Sequence, residues 1–596
     1  MKKQTKSIAV LPFVNMSSDV ENEYFSDGMT EEIINALAKI KSLKVTSRTS
    51  SFFFKNKNIP IPKIGEQLNV SIILEGSIRL SGDMMRITAQ LIDVEEDFHF
   101  WSETFDRSMD NIFAVQDEIS LLIADKLREH VGHFEIEDQL VEDLQVPAEV
   151  YKFYLKSRHL ILKMTKPEID KAILILEGII HECPTFTLAY LAVHQGYALL
   201  GTIGLIPAHE AFAKGQPFLD KAIELDPDLP ECQLNLAWIS FLQKWDFAST
   251  YKHINKALEK RVLAEPYQTM ASVLVAEGKF EAALSYITTA LQLDPFSEIN
   301  YHLQGFIFYG QKKYAQAAES FRKAIELKPD FVTSALYLGQ TLLLMDKKEE
   351  ALAFFHNLPD DDGDDLVKLG GTTLAYAALG DLEKTEVGIA RLEAALKTPL
   401  MGRAMNFLIL CQAILGRETA TFDLIEQGIQ FRLPMMVYLY KEPLLKPIQD
   451  KPRFKELMQE IFGDKEVKHL SKKKYKKPSL NTEVAEEYSI RLEECMSKEK
   501  PFLQASLTLR QLAEMISIHP NNLSELLNEK MGENFSAYIN HYRVEWFKEI
   551  AKLPENSHLS LLGLAYECGF NSKTAFNTFF KKETGMTPKR YLKQSL

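Results

Sequence analysis

Apolar and polar residues change their spacing along this chain, and each change predicts a different architecture. Over residues 1–135 the apolar positions form short runs and alternations. Residues 8–14 (Ile8, Ala9, Val10, Leu11, Pro12, Phe13, Val14) read as a buried strand. Asp27-Gly28 opens an amphipathic helix capped by Thr30, with Ile33, Ile34, Leu37 and Ala38 on its apolar side. A short strand at 43–45 and a helix at 64–68 follow. Two alternating runs, 71–80 and 85–93, meet across Ser81-Gly82-Asp83, which predicts a hairpin. A last strand at 98–105 and a closing helix at 112–127 complete a small α/β domain.

Between 147 and 462 the spacing becomes helical and acquires a period of 34 residues. Gly305 and Gly339 are one period apart, as are Pro295 and Pro329; Ala283, Ala317 and Ala351 keep step, and so do Ile287, Phe321 and Phe355. Phe280 and Tyr314 take an aromatic position at the turn. A 34-residue helix pair ending Leu-x-Pro resembles the tetratricopeptide repeat, best over 265–329, with degenerate copies on both sides. One such pair cannot bury its own apolar face, so the pairs are expected to stack into an all-α superhelix. Its concave surface suits a protein or peptide partner. A long insertion is expected near 201–208 and a loop at Asp360-Asp361-Asp362-Gly363. The regular Leu, Ala and aromatic residues are core, so none of them is nominated as a ligand contact.

A basic block at 465–477, ending before Pro478, reads as an exposed linker (463–480). Beyond it the chain repeats itself. Leu507, Thr508, Leu509, Leu512, Ala513 and Ile516 recur 52 residues later as Leu559, Ser560, Leu561, Leu564, Ala565 and Cys568. Leu523, Leu526, Leu527, Gly532 and Tyr538 recur 53 residues later as Phe576, Phe579, Phe580, Gly585 and Tyr591. Each copy is a capped short helix, a turn, a second helix and a glycine stop, the helix-turn-helix pattern. Thr508 and Ser560 cap the support helices; Ser572 caps the second reading helix. A long helix over 535–552 joins the units. With Leu523, Leu526, Leu527, Phe576, Phe579 and Phe580 inward, the residues expected to point outward are Asn521, Asn522, Ser524, Glu525 and Asn528 in the first reading helix. In the second they are Lys573, Thr574, Asn577, Thr578 and Lys581.

Two further resemblances follow. The run Gly569-Phe570-Asn571-Ser572, with Phe576, Phe580-Lys581-Lys582, Gly585, Thr587-Pro588 and Tyr591, resembles the AraC family DNA-binding domain. Residues Leu523, Ser524, Leu526, Leu527, Asn528, Gly532, Phe535, Tyr538 and Arg543 agree in the first unit, and the likeness covers 481–596. It implies that the outward residues of both reading helices touch base edges of double-stranded DNA. Glu525 departs from it, standing where the family often has a cation; an acidic side chain can accept from cytosine but repels phosphate. At the other end, residues 8–13, 25–32, 45–50 and 74–79 resemble the TolB-like N-terminal domain found beside class III cyclases and winged-helix regulators.

Composition changes the picture in one respect. The whole chain carries a net charge of −13, but 465–596 holds 21 Lys and Arg against 16 Asp and Glu. A basic tail on an acidic body fits a nucleic-acid module joined to sensor or adaptor domains. The five cysteines (Cys183, Cys232, Cys411, Cys495, Cys568) are scattered, without CxxC or histidines at ligand spacing, so neither a disulfide framework nor a metal site is expected. No apolar run approaches the roughly 18 residues that span a bilayer. No glycine-rich phosphate loop or nucleophile-base pairing appears, and no cofactor is expected. Asp27, Glu31 and Glu32 read as complements to a helix dipole; a small-molecule or anion effector at that helix start is the binding alternative. The reading is a cytoplasmic, non-enzymatic transcriptional regulator with three domains (1–135, 147–462, 481–596). A protein-interaction scaffold and a cyclase-associated signalling protein are the alternatives.

Overall fold

The structure, a computed structural model, describes residues 6–595 except 20–21, 110–111, 142–143, 145, 164, 203–205, 207, 330, 359–365, 399–400, 464–481 and 557–558. The loop expected at 360–363 and the basic block 465–477 therefore lie outside the described residues, as does half of the insertion expected at 201–208.

The N-terminal part runs β1 (Ser7–Val10), β2 (Val14–Asn15), α1 (Glu23–Ala38), β3 (Lys44–Val45), α2 (Arg48–Phe52), α3 (Ile61–Leu68), β4 (Ile72–Ser81), β5 (Met84–Asp93), β6 (Phe98–Ser108) and α4 (Ile112–Val131). The sheet order is β3-β1-β4-β5-β6, with β2 also on β4. β1 is parallel to β3 and β4, whereas β4, β5 and β6 are antiparallel. The hairpin turns where expected, with Gly82 at φ +58°.

Two local expectations are corrected. The single strand at 8–14 is two, because Pro12 has no N–H for a ladder and the Phe13 N–H donates to Thr30 Oγ1 at 3.0 Å. The helix expected to open at Asp27 begins at Glu23, so Thr30 is an interior residue rather than a cap; its hydroxyl donates to Ser26 O at 2.8 Å. Asp27 and Glu31 consequently stand inside the helix, away from free N–H groups. Asp27 pairs with Lys55 at 2.5 Å, and Glu31 bridges Arg48 at 3.1 Å and Arg158 at 2.9 Å. The helix-start argument for an anion there fails with that boundary.

Paired helices then run from Ala148–Leu162 to Glu418–Gln430. The period is visible in their starts: Ala264, Glu298, Val332 and Leu366 for first helices, Phe280, Tyr314, Lys348 and Leu382 for second ones. The periodic glycines let helices cross closely. A β-carbon on Gly339 would lie 2.0 Å from the Phe355 ring, and one on Gly305 would lie 2.7 Å from Phe321. The first helices of this series share the N-terminal core: Tyr151 packs on Phe113 at 4.7 Å.

Farther along, the repeats hold the N-terminal domain from a second side. Ser47 N–H donates to Leu293 O at 2.8 Å, Phe296 N–H to Ser50 Oγ at 2.8 Å, and Phe53 stacks on Phe296 at 4.1 Å. The chain also folds back on its own superhelix. The 3-10 segment Pro434–Lys441 places Tyr438 against Phe306 at 5.3 Å and Phe241 at 6.0 Å. Just beyond it, Glu442 accepts a hydrogen bond from the Tyr309 hydroxyl at 2.5 Å. Burial pushes the Glu442 carboxyl up to about 7. Part of the surface offered by the first helices of the repeats is thus occupied by the chain itself.

Candidate nucleic-acid interface

The first helix-turn-helix unit is built on the apolar side of the helix Thr482–Lys498, where Leu492 and Met496 are buried. Its support helix, Leu509–Met515, begins in a capping box: Thr508 accepts from Gln511 N–H, and Gln511 returns a bond to the Thr508 N–H. Ser517, at φ +57°, makes the turn. The reading helix Pro520–Glu525 widens into a π-helical turn at Leu526–Lys530. Leu523, Leu526 and Leu527 are fully buried, as their spacing requires.

The second unit repeats this plan. Ser560 caps the support helix Leu561–Glu567, and Ser572 caps the reading helix Lys573–Thr584, which stops at Gly585 with φ +71°. Phe576 and Phe580 are buried and Phe579 half-buried against Val544 and Phe547. The helix Phe535–Ile550 serves both units, giving Phe535, Tyr538 and Ile539 to the first core and Val544 and Phe547 to the second.

A buried arginine fixes the junction. Arg543 donates from Nε to Phe502 O at 2.7 Å and from Nη2 to Gln504 O at 2.8 Å. Burial lowers its guanidinium to about 10. On the other side of that turn stands Gly569, at φ +88°, where a β-carbon would lie 2.3 Å from Phe502 O. Only glycine satisfies both the backbone angle and the approach. The turn at 502–504 is therefore held by the shared helix and touched by the second unit, which sets the two reading helices in one orientation.

The expected contact residues are placed differently in the two units. Lys573, Asn577, Thr578 and Lys581 are exposed on the second reading helix, while the side chain of Thr574 lies outside the described residues. In the first unit Asn522 and Glu525 are half-buried. Ser524 is fully buried, a correction of its expected outward placement: it follows Leu523 on the side that packs into the core. Asn521 and Asn528 point outward from their own core but meet the N-terminal domain. Asn521 Oδ1 accepts from Arg128 Nη1 at 2.5 Å, and its Nδ2 donates to Ile136 O at 3.4 Å.

This docking extends along α4. Glu129 Oε1 accepts from the Leu509 N–H at 2.8 Å, Arg510 Nε donates to Asp125 Oδ2 at 3.2 Å, and Asn534 Nδ2 donates to His130 O at 2.7 Å. Arg128, 1% exposed, also donates to Asp125 Oδ1 at 2.6 Å. Burial raises the Glu129 carboxyl although Lys126 stands 2.8 Å away. Sequence reading found none of these N-terminal partners. They lie on an ordinary amphipathic helix nearly 400 positions from the residues they meet, and no local spacing marks such a contact.

Comparison with known proteins agrees with this anatomy. Residues 512–594 match the family model of a helix-turn-helix domain. The chain carries an AraC-type helix-turn-helix domain. Residues 264–297 and 308–369 match tetratricopeptide repeats, and residues 3–122 match the second domain of HilA/YgeH-like transcriptional regulators. A putative adenylate cyclase of Rhizobium meliloti is 36% identical over 247 residues, 41% of this chain and 41% of that protein. An uncharacterized HTH-type transcriptional regulator of Escherichia coli, YijO, is 32% identical over 90 residues, 15% of this chain and 31% of that protein. The chain thus spans less than half the length of these curated relatives. Among solved structures, PilF of Pseudomonas aeruginosa is similar at 20% identity and a TM-score of 0.27, covering 35% of this chain and 90% of that one. Among the described residues no helix is long and apolar enough to cross a membrane, and no three His, Cys, Asp or Glu are grouped to hold a metal ion.

Proposed function

We propose that this chain is a sequence-specific DNA-binding transcriptional regulator whose tail reads two successive major grooves. The observation that carries the reading is the second unit: a capped helix, rigidly packed by Phe576 and Phe580, with Lys573, Asn577, Thr578 and Lys581 exposed together. Amide side chains on such a helix can bond base edges, while lysines reach phosphates. The repeats act as the frame that holds the N-terminal domain and as a surface for a protein partner. The N-terminal domain is the sensing or docking module. No catalytic step is assigned to it. The regulator-type matches at both ends favour this reading over the cyclase-associated one, which has the likeness to a putative adenylate cyclase in its favour.

Two substitutions test the assignment of the exposed face. Asn577→Ala is expected to relax base preference at one or two positions, with a loss of about 1–3 kcal/mol of discrimination. Lys581→Ala is expected to weaken all duplexes alike and to flatten the dependence of affinity on salt by about one unit of slope. Selection of sites from random DNA, followed by salt titrations, reads both. Identical preferred sequences from wild type and Asn577→Ala would remove that helix from base reading.

A further inference from the structure

We infer that the C-terminal end of α4 and the segment after it are an internal stand-in for DNA, docked on the first helix-turn-helix unit and displaced when a duplex binds there. The inference rests on the DNA-binding reading and adds how it is regulated. Its basis is the chemistry of the contact. A helix-turn-helix unit meets the DNA backbone with cationic side chains and with backbone N–H groups at helix starts. Here both kinds of group are already taken by carboxylates. The N–H of Leu509, first residue of the support helix, is given to Glu129, and Arg510 to Asp125. Asp138 stands 3.7 Å from His519, at the start of the reading helix.

The base-reading positions are occupied in the same way. Asn521, an amide that could bond a base edge, is held by Arg128 and by the Ile136 backbone. Gly132 lies so close to Asn528 that a β-carbon on it would be 2.8 Å from Asn528 Oδ1. A helix covered on that face cannot enter a major groove, which is only about 12 Å wide. Among the described residues none covers Lys573, Asn577, Thr578 and Lys581 of the second reading helix, which are exposed. The docked chain thus offers DNA one unit of two. The contact is made through charges and amides, and interfaces of this polar kind between domains of one chain separate readily.

A cover closed nine-tenths of the time weakens apparent affinity about tenfold. The test uses the full chain and a random-sequence duplex of about 30 base pairs, long enough for two half-sites a helical turn apart. Asp125→Asn with Glu129→Gln is expected to tighten binding about tenfold and to steepen its salt dependence, because the freed unit adds phosphate contacts. Glu66→Gln with Glu96→Gln removes the same charge from exposed positions of the same domain and is expected to leave both nearly unchanged. Equal effects from the two pairs, or no effect from the first, overturn the inference. A measurement on wild type guards against misfolding of the variant: hydrogen exchange over 125–136 is expected to quicken when duplex is added. Exchange that stays the same or slows on a duplex that demonstrably binds also overturns it. If neither wild type nor the released variant binds duplex, the DNA-binding reading itself fails.

Discussion

Arg543→Ala is expected to loosen the second helix-turn-helix unit from the first at a cost of about 3–6 kcal/mol, since hydrogen bonds to a charged group contribute about 1.5–3 kcal/mol each and two carbonyls lose their donor. The side chain is 9% exposed and donates to Phe502 O and Gln504 O, so truncation leaves both carbonyls in a partly dry turn. Gly569 leans on that same turn, and its displacement should reach the start of the second reading helix. Because the chain has several domains, a single unfolding midpoint would blur the effect. Hydrogen exchange over 564–580 resolves it locally, with rates expected to rise by roughly 10²–10⁴. Arg543→Lys should recover only part of the loss, because an ammonium cannot present the planar fork that spans two carbonyls. Unchanged exchange in the alanine variant would show that the junction does not depend on this residue.

Lowering the pH from 8 to 5 is expected to stabilise the repeats by about 2.5 kcal/mol through Glu442 alone, taking 1.36 kcal/mol per unit of pKa difference. Burial raises this carboxyl from 4.5 to about 7. The fold therefore prefers its protonated form. The contribution is fully present below about 4.5 and is lost as pH rises through about 7, when a charge must be accommodated beside the Tyr309 hydroxyl. Glu32, which burial and the neighbouring Glu31 also push up to about 7, adds in the same direction. The comparison that isolates Glu442 is thus the pH dependence of thermal unfolding in wild type against Glu442→Gln, which carries no titrating group. A variant with the wild-type pH dependence would remove Glu442 from this role.

What was legible in the sequence was whatever repeats or caps. The 34-residue step sets helix starts from Ala264 to Leu382 because each pair must present its small residues to the next, and Gly339 facing Phe355 is the same rule at close range. Thr508, Ser560 and Ser572 are caps where they were expected, since a hydroxyl before an apolar run has few other uses. Thr30 has the same local signature without being a cap. Its hydroxyl closes a turn inside α1 and receives Phe13, a tertiary contact that its neighbours do not announce. Ser524, a polar residue between leucines, is expected outward by its type, whereas it is buried with Leu523. The docking of Asp125, Arg128 and Glu129 on the first unit was illegible. Surface carboxylates at helical spacing look alike whether they face water or a distant helix start.

The central proposal, a two-unit reader of duplex DNA, is tested most directly by selecting sites from random DNA with the full wild-type chain and measuring the salt dependence of the winners. The expected result is one enriched sequence family with two informative blocks about one helical turn apart, and an affinity that falls steeply with salt. Enrichment of no sequence at all would contradict it.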